Sequence, residues 1–383
     1  MDEVRILVAL QVIGHPRDSK RIAMLQAAGF EVEAVAFERK FHKGRMPTCF
    51  VRVLGRVEHG HYLKRLGTML SAISMFRRAI KENDLVYASG VDMAALGIVA
   101  GLWLGRPFAL EVGDIREIQT AKGLLGWLVR RIDRRIANSC CLIVATARGF
   151  VDDYYRQWLN VGTRSMVIEN KLDLPVGDDT PAGFAPYANG ERPILDRPLR
   201  IGYFGLLRWS SSWDLLRELA VALSERIEII IAGHIIEPAD LEGKIEEVSN
   251  VRYLGEFRSP DDLPDLFSSV DLVWAVYPEI GPNDWNLRWA RTNRFYESCY
   301  FNTPLISRAG CEDAREVQRL GIGLSIDSSE PRDIIRGIED ISFEMLSQWR
   351  LNMSALPAST YIYTTEGAEL AQALRDAISS CSR

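Results

Sequence analysis

The chain has 383 residues, 47% hydrophobic and 25% charged, with a formal net charge of −5. Length and composition fit two globular domains and exclude a collagen-like, low-complexity or broadly disordered chain. Residues 1–190 hold 26 Lys and Arg against 20 Asp and Glu, whereas residues 191–383 hold 20 against 31, so a basic first half favours an anionic partner such as a phospholipid surface or a lipid diphosphate.

The opening MDEVRILVAL carries acids where a signal peptide needs positive charge, so a cytoplasmic location is expected. Arg5 to Leu10 forms an apolar strand, a loop containing Gly14 follows, a helix runs from about Ser19 to Ala28, and Phe30 to Phe37 alternates as the next strand. Tyr62 to Lys81 spaces Leu66, Leu70, Ile73 and Ile80 along a helix that carries Lys64, Arg65, Arg77, Arg78 and Lys81. Leu85 to Ala88 is a short strand. Met93 to Leu104, the longest apolar run, is too short to span a bilayer and suits a helix buried against a sheet. Phe108 to Val112 is another strand, leading into Gly113 and Asp114. From Lys122 to Arg135, Leu125, Leu128 and Ile132 begin a stripe that Ile136 continues, and Trp127, Arg130, Arg131, Arg134 and Arg135 crowd the remainder. Basic amphipathic helices with an aromatic can lie in an anionic membrane surface; the alternative is a solvated helix face on a sheet. Leu142 to Ala145 and Ser165 to Ile168 complete the strands of the first half.

Residues 175–198 are rich in Pro, Gly and Asp without a clear period and suit an interdomain linker. The pattern then restarts. Leu199 to Gly205 is a strand, Ser212 to Ser224 a helix, and Ile227 to Ala232 a near-continuous apolar strand. Val251 to Leu254, Asp271 to Val276, Pro304 to Ile306 and Gly323 to Ile326 follow, and a last helix spans roughly Thr365 to Ser379. Both halves open as β-loop-α-β, the start of a doubly wound parallel sheet, so the expected fold class is α/β with two Rossmann-like domains. Ligands of such sheets bind at the carboxyl ends of the strands and in clefts between domains.

The most informative stretch is Asn283 to Ser307, NDWNLRWARTNRFYESCYFNTPLIS. It reads as an amphipathic helix carrying one acid, Glu297, with Arg288, Arg291 and Arg294 before it and Asn293 near the helix start, followed by the strand Pro304-Leu305-Ile306. A helix N-terminus with arginines suits a phosphate, and a carboxylate one turn further in can take two ribose hydroxyls. The alternative is a solvated acid before a buried strand.

This string resembles the nucleotide-sugar site of GT-B glycosyltransferases, where a helix N-[KR]-x-x-E runs into x-G-x-P-[LV]-[IV]; Asn293, Arg294, Glu297, Thr303, Pro304, Leu305 and Ile306 match. The pattern N-x-x-W-x-x-x-N-R-x-Y-E, here Asn286, Trp289, Asn293, Arg294, Tyr296 and Glu297, is similar to bacterial exopolysaccharide transferases of the succinoglycan type. The resemblance implies two Rossmann-like domains facing an interdomain cleft: an acceptor domain over 1–180, joined by a C-terminal helix of about 358–383, and a donor domain over 198–357. It implies transfer of a sugar from a nucleotide donor, a UDP-sugar, to a polyprenyl-diphosphate-linked glycan at the inner membrane face in exopolysaccharide biosynthesis.

Site residues follow by the same resemblance. Glu297 is the ribose ligand. Gly205 and Arg208 stand in the diphosphate loop, where many members have G-R-L followed by Lys; here Leu206 takes the Arg position and a serine the Lys position. Ser210 to Ser212 would cap the next helix. Phe257 and Arg258, in the turn after Leu254, hold the base or simply reverse the chain. Many retaining members have a second acid where Trp289 stands. The first-domain motif E-x-H-D appears as Glu111, Val112, Gly113 and Asp114, which makes Asp114 the base of an inverting transfer or the N-cap of the next helix. His15 and Arg17 match a D/H-P-R motif near acceptor or phosphate, with a loop anchor as the alternative for Arg17. There is no C-x-x-C or Asp-x-Asp, and His15 has no metal-ligand spacing with His42, His59, His61 or His234, so no metal and no cofactor beyond the UDP-sugar is expected. Nucleic acid is not an expected partner, since no binding motif is present. Two other readings stay open: a UDP-sugar epimerase of the same fold, and a non-catalytic GT-B-like partner protein.

Overall fold

The computed structural model describes residues 4–38, 46–56, 62–174, 197–276, 280–281, 283–327 and 330–381, and, within 62–71 and at 381, the backbone only. Most of the expected linker, His42, His59, His61 and the side chains of Lys64, Arg65, Leu66 and Leu70 lie outside the described residues. The chain divides into two units, Met1–Asn170 with Thr364–Arg383, and Lys171–Tyr363.

The first unit is built on seven parallel strands: β1 (Arg5–Leu10), β2 (Glu31–Glu38), β3 (Phe50–Arg56), β4 (Leu85–Ser89), β5 (Phe108–Val112), β6 (Leu142–Ala145) and β7 (Ser165–Val167), in the order β3-β2-β1-β4-β5-β6-β7. The central strands are continuous apolar runs because helices cover both faces: Ile6, Leu7, Leu85 and Leu110 are fully buried. The order reverses between β1 and β4, the position where open α/β sheets bind ligands. Strand β3 was not expected from the sequence. It is an edge strand with Phe50 69% exposed, and its outward arginines find acids instead of a core: Arg52 lies 3.0 Å from Glu33 and Arg56 2.7 Å from Glu38. The terminal helix Glu366–Cys381 belongs to this unit, with Arg375 stacked on Phe30 and Arg164 paired to Asp376 at 3.2 Å.

The second unit carries β8 (Leu199–Phe204), β9 (Ile227–Ala232), β10 (Val251–Tyr253), β11 (Leu272–Ala275), β12 (Leu305–Arg308) and β13 (Gly323–Ile326), all parallel, in the order β10-β9-β8-β11-β12-β13. Period-2 alternation sends Ile201, Tyr203, Ile229, Ile231, Trp274 and Ile306 to one buried face. Phe204, Ile230, Val273, Ala275 and Leu305 go to the other, against the aromatics Phe267, Phe295 and Tyr300.

Three helical segments gain detail. The helix expected to start near Asn293 is Asn293–Tyr300, and a separate short helix, Trp285–Trp289, precedes it, the two parted at Ala290, whose ψ of 142° is extended. The apolar run from Met93 forms the helix Val91–Ala100, but it is only partly buried: Val99, Leu102 and Trp103 are exposed, Trp103 by 95%. The helix Leu124–Ser139 turns Gly126, Asp133, Ile136 and Ala137 inward. Of the expected stripe Ile136 is buried, Leu125 and Leu128 are 63% and 45% exposed, and Ile132 is half exposed.

Candidate functional site

In the second unit, Arg294 marks the switch point. Its Nη1 donates to the carbonyl of Trp274 on β11 at 3.1 Å, and its guanidinium lies 5.4 Å from the ring centroid of Tyr203 on β8. These are the two strands between which the sheet order reverses. Asn293, the first helical residue, is exposed, and Glu297, one turn further in, is buried at 8% exposure. The start of this helix is fixed from outside. Thr292 is the N-cap, its Oγ1 accepting from the Phe295 N–H at 3.3 Å, and its own N–H and hydroxyl donate to the fully buried Asp313 at 3.1 and 2.6 Å. Burial pushes Asp313 up to about 6, against the hydrogen bonds from Thr292.

Gly205 and Gly233 open the loops after β8 and β9, and Gly255 stands second in the loop after β10. Gly205 has φ 121°, and a Cβ at Gly233 would lie 1.8 Å from the Gly205 carbonyl oxygen, so these loops approach each other more closely than side chains allow. The first two are also tied by Leu207 N–H donating to the His234 carbonyl at 3.0 Å. Arg208 is exposed and stacks on Trp209 at 5.3 Å. Ser210 to Ser212 do not cap the following helix: its N-cap is Trp209, with no side-chain cap bond, and the serines form the first turn, Ser210 donating to Glu237 at 3.1 Å. Phe257 packs partly buried against the core, whereas Arg258 is exposed and paired with Asp262, whose carboxylate also accepts the Arg258 backbone N–H at 2.7 Å. Sequence reasoning considered His234 only as a metal ligand. Its Nδ1 stands 2.6 Å from Glu256 Oε1, joining the ends of β9 and β10. The signal was their place directly after the strand-end glycines Gly233 and Gly255.

In the first unit, the carboxyl ends of β1, β4 and β5 meet around a buried acid. Glu111 is 1% exposed and receives Arg21 through Nε and Nη2, both at 3.1 Å, and the Tyr87 hydroxyl at 2.6 Å. Burial alone would raise its pKa, but Arg21, Arg17 and the Tyr87 hydroxyl together hold the carboxyl below the usual range. Beside it, Asp18 accepts from Ser89 at 2.8 Å and is pushed up to about 6 by burial. Arg17 bridges this cluster to Asp114: Nε lies 3.8 Å from Glu111 Oε1 and 3.9 Å from Asp18 Oδ1, and Nη1 3.8 Å from Asp114 Oδ2. His15 takes the N-cap position of the helix Pro16–Ala27, with no side-chain cap bond. Asp114, 63% exposed, is not an N-cap, because the next helix begins at Glu117 with Arg116 in the cap position.

Arg17 and Asp114 open onto a pocket of about 260 Å³. Its apolar wall comes from Val112, Ile118, Val129 and Ile132, and its rim carries Asp92 and Arg116, paired at 2.9 Å. Val129 and Ile132 belong to the helix Leu124–Ser139. That helix is anchored by Asp133, which accepts from Gln119, Tyr154 and Tyr155 at 2.6, 2.8 and 3.1 Å. Arg130 faces inward, donating to the carbonyls of Gln119 and Ala121 at 3.1 and 2.7 Å, and so serves the structure. Trp127, Arg131, Arg134 and Arg135 are exposed. Among the described residues no group of three or more His, Cys, Asp or Glu could hold a metal ion, and no helix is long and apolar enough to cross a membrane.

No family model matches the chain. It is 26% identical over 340 residues, 85% of this chain and 82% of the relative, to the succinoglycan biosynthesis protein ExoL of Rhizobium meliloti (strain 1021). Its fold matches Anabaena HepE in complex with UDP, with a TM-score of 0.68, 16% identity, and coverage of 97% of this chain and 100% of that one. It also matches WaaG, a glycosyltransferase involved in lipopolysaccharide biosynthesis, with a TM-score of 0.62, 15% identity, and coverage of 96% and 98%. The chain therefore has the GT-B fold of glycosyltransferases, two Rossmann-like units in tandem, and resembles a succinoglycan-type exopolysaccharide protein in sequence.

Proposed function

We propose that this chain is a glycosyltransferase of surface or exopolysaccharide biosynthesis, taking a sugar from a UDP-sugar and placing it on a lipid-linked saccharide. The observation that carries this reading is the seating of Arg294 between β8 and β11, with Glu297 one turn behind it on the same helix. A nucleoside diphosphate needs a cation for its phosphates and an acceptor for its ribose hydroxyls, and this helix offers both. HepE, which shares the fold, has been captured with UDP and with UDP-glucose. The second unit would hold the donor, with Glu297 on the ribose and Arg294 and Arg208 on the diphosphate. The first unit would hold the acceptor.

In the reaction, the acceptor hydroxyl oxygen bonds to the anomeric carbon, the carbon–oxygen bond to UDP breaks, UDP leaves with that electron pair, and the hydroxyl proton passes to Asp114. Trp289, standing where many retaining members carry an acid, supports inversion with Asp114 as base. The exposed apolar and basic side of the helix Leu124–Ser139 supports contact with an anionic membrane surface, where a lipid-linked acceptor would reside.

The test is UDP release from a panel of UDP-sugars in the presence of polyprenyl-diphosphate-linked saccharides extracted from bacterial membranes. One UDP-sugar should support release, and Asp114→Asn should lower kcat about a hundredfold or more. Unchanged turnover in the variant would remove Asp114 as base. Interconversion of a free UDP-sugar without acceptor would favour an epimerase.

A further inference from the structure

Arg17 owes its position to Gly113. A Cβ built at Gly113 would lie 1.5 Å from Nη1 and 2.0 Å from Cζ of Arg17, so the guanidinium fills the volume that a side chain at 113 would take. The backbone does not demand glycine there, because Gly113 is not among the positive-φ glycines. The residue serves space rather than conformation. The guanidinium in that space is held on three sides, near Glu111, Asp18 and Asp114, and only 15% of the Arg17 side chain is exposed. The 3.8 Å between Arg17 Nη1 and Asp114 Oδ2 is too long for a direct hydrogen bond. It lets one hydroxyl oxygen sit within hydrogen-bond distance of both groups, on the side where the pocket opens.

We propose that Gly113 is a positioning residue for the acceptor hydroxyl. By leaving out a side chain it admits Arg17 to the pocket wall, where Arg17 donates to the acceptor hydroxyl oxygen while Asp114 accepts from the same hydroxyl. Gly113 thus acts through Arg17 as a positioning residue. The inference rests on the transferase reading of Asp114 and adds the group that faces the base.

A double-mutant cycle of Gly113→Ala and Arg17→Ala, read in the UDP-release assay above, tests it. The clash in Gly113→Ala is with the free end of a flexible side chain, so the variant should fold normally. We expect acceptor KM to rise about tenfold or more in each single variant, with donor KM unchanged, as for loss of one charge-assisted hydrogen bond. The double variant should be no worse than Arg17→Ala alone, because both changes remove the same contact. Multiplying effects in the double variant, or a donor KM that rises with the acceptor KM, would overturn the inference while leaving the transferase reading intact. Failure of the unaltered protein to release UDP with any donor would overturn both.

Discussion

Asp18 and Glu111 lie in one buried cluster and shift in opposite directions, because Glu111 accepts a bidentate arginine and the Tyr87 hydroxyl whereas Asp18 has no such direct cation partner. Glu111 has a bidentate partner in Arg21 and is held low. Asp18 has a serine at 2.8 Å and an arginine at 3.9 Å, and burial prevails, raising it to about 6. The folded state therefore binds the Asp18 proton more tightly than the unfolded chain does. That stabilisation is fully present below the unfolded value of 3.8 and is lost as pH rises through about 6. Asp18→Asn, measured by urea unfolding, should gain stability relative to the unaltered protein between pH 4 and pH 7, on the order of 2–3 kcal/mol. Parallel profiles would show that Asp18 titrates in the fold as it does in the unfolded chain. At this scale the sequence exposed Arg17, Glu111 and Asp114 as a motif but not their geometry. The pairing of Arg21 with Glu111, 90 positions apart, and the space at Gly113 arise only when the helix after β1 is brought beside the carboxyl end of β5.

Helix Leu124–Ser139 leaves most of its apolar stripe exposed, against the reading of a face packed on the sheet. Its apolar stripe suggested a face against the sheet or a membrane. Asp133 decides, because its three hydrogen bonds turn a polar residue inward and leave Leu124, Leu125, Trp127 and Leu128 in solvent, at 45–80% exposure. No period analysis could anticipate a buried Asp whose donors, Tyr154 and Tyr155, come from a later helix. Trp127→Ser with Leu125→Ser should reduce binding to vesicles containing anionic phospholipid, measured by co-sedimentation, by about tenfold or more, since each buried apolar side chain contributes roughly 1.5–3 kcal/mol. Arg131→Gln with Arg134→Gln and Arg135→Gln should weaken the same binding, less so at high salt. Unaltered binding in both variants would move the membrane contact elsewhere. Arg130 is set apart from that group by its inward carbonyl contacts.

At the scale of the whole chain the sequence was most legible where strands are buried on both faces. β1, β5, β6 and β9 occupy the expected residues, because continuous apolar runs between turn signals have few other solutions in a parallel sheet. β3 escaped notice because an edge strand needs no apolar run, and its charges are answered by Glu33 and Glu38 on β2. Within 283–300 the helix starting near Asn293 was legible, but the short helix Trp285–Trp289 before it was not, since the break at Ala290 is a backbone feature with no proline or glycine to announce it. The GT-B fold also leaves the chemistry to particular residues, which is why donor binding is the claim to test.

The most direct measurement is calorimetric titration of UDP into the full chain and into Glu297→Ala, with GDP and ADP as controls. We predict saturable binding selective for UDP, weakened about tenfold to a hundredfold in Glu297→Ala, as expected for loss of buried hydrogen bonds to a charged group. No binding of any nucleotide, or equal UDP affinity in the variant, would contradict the assignment of this helix as the donor site.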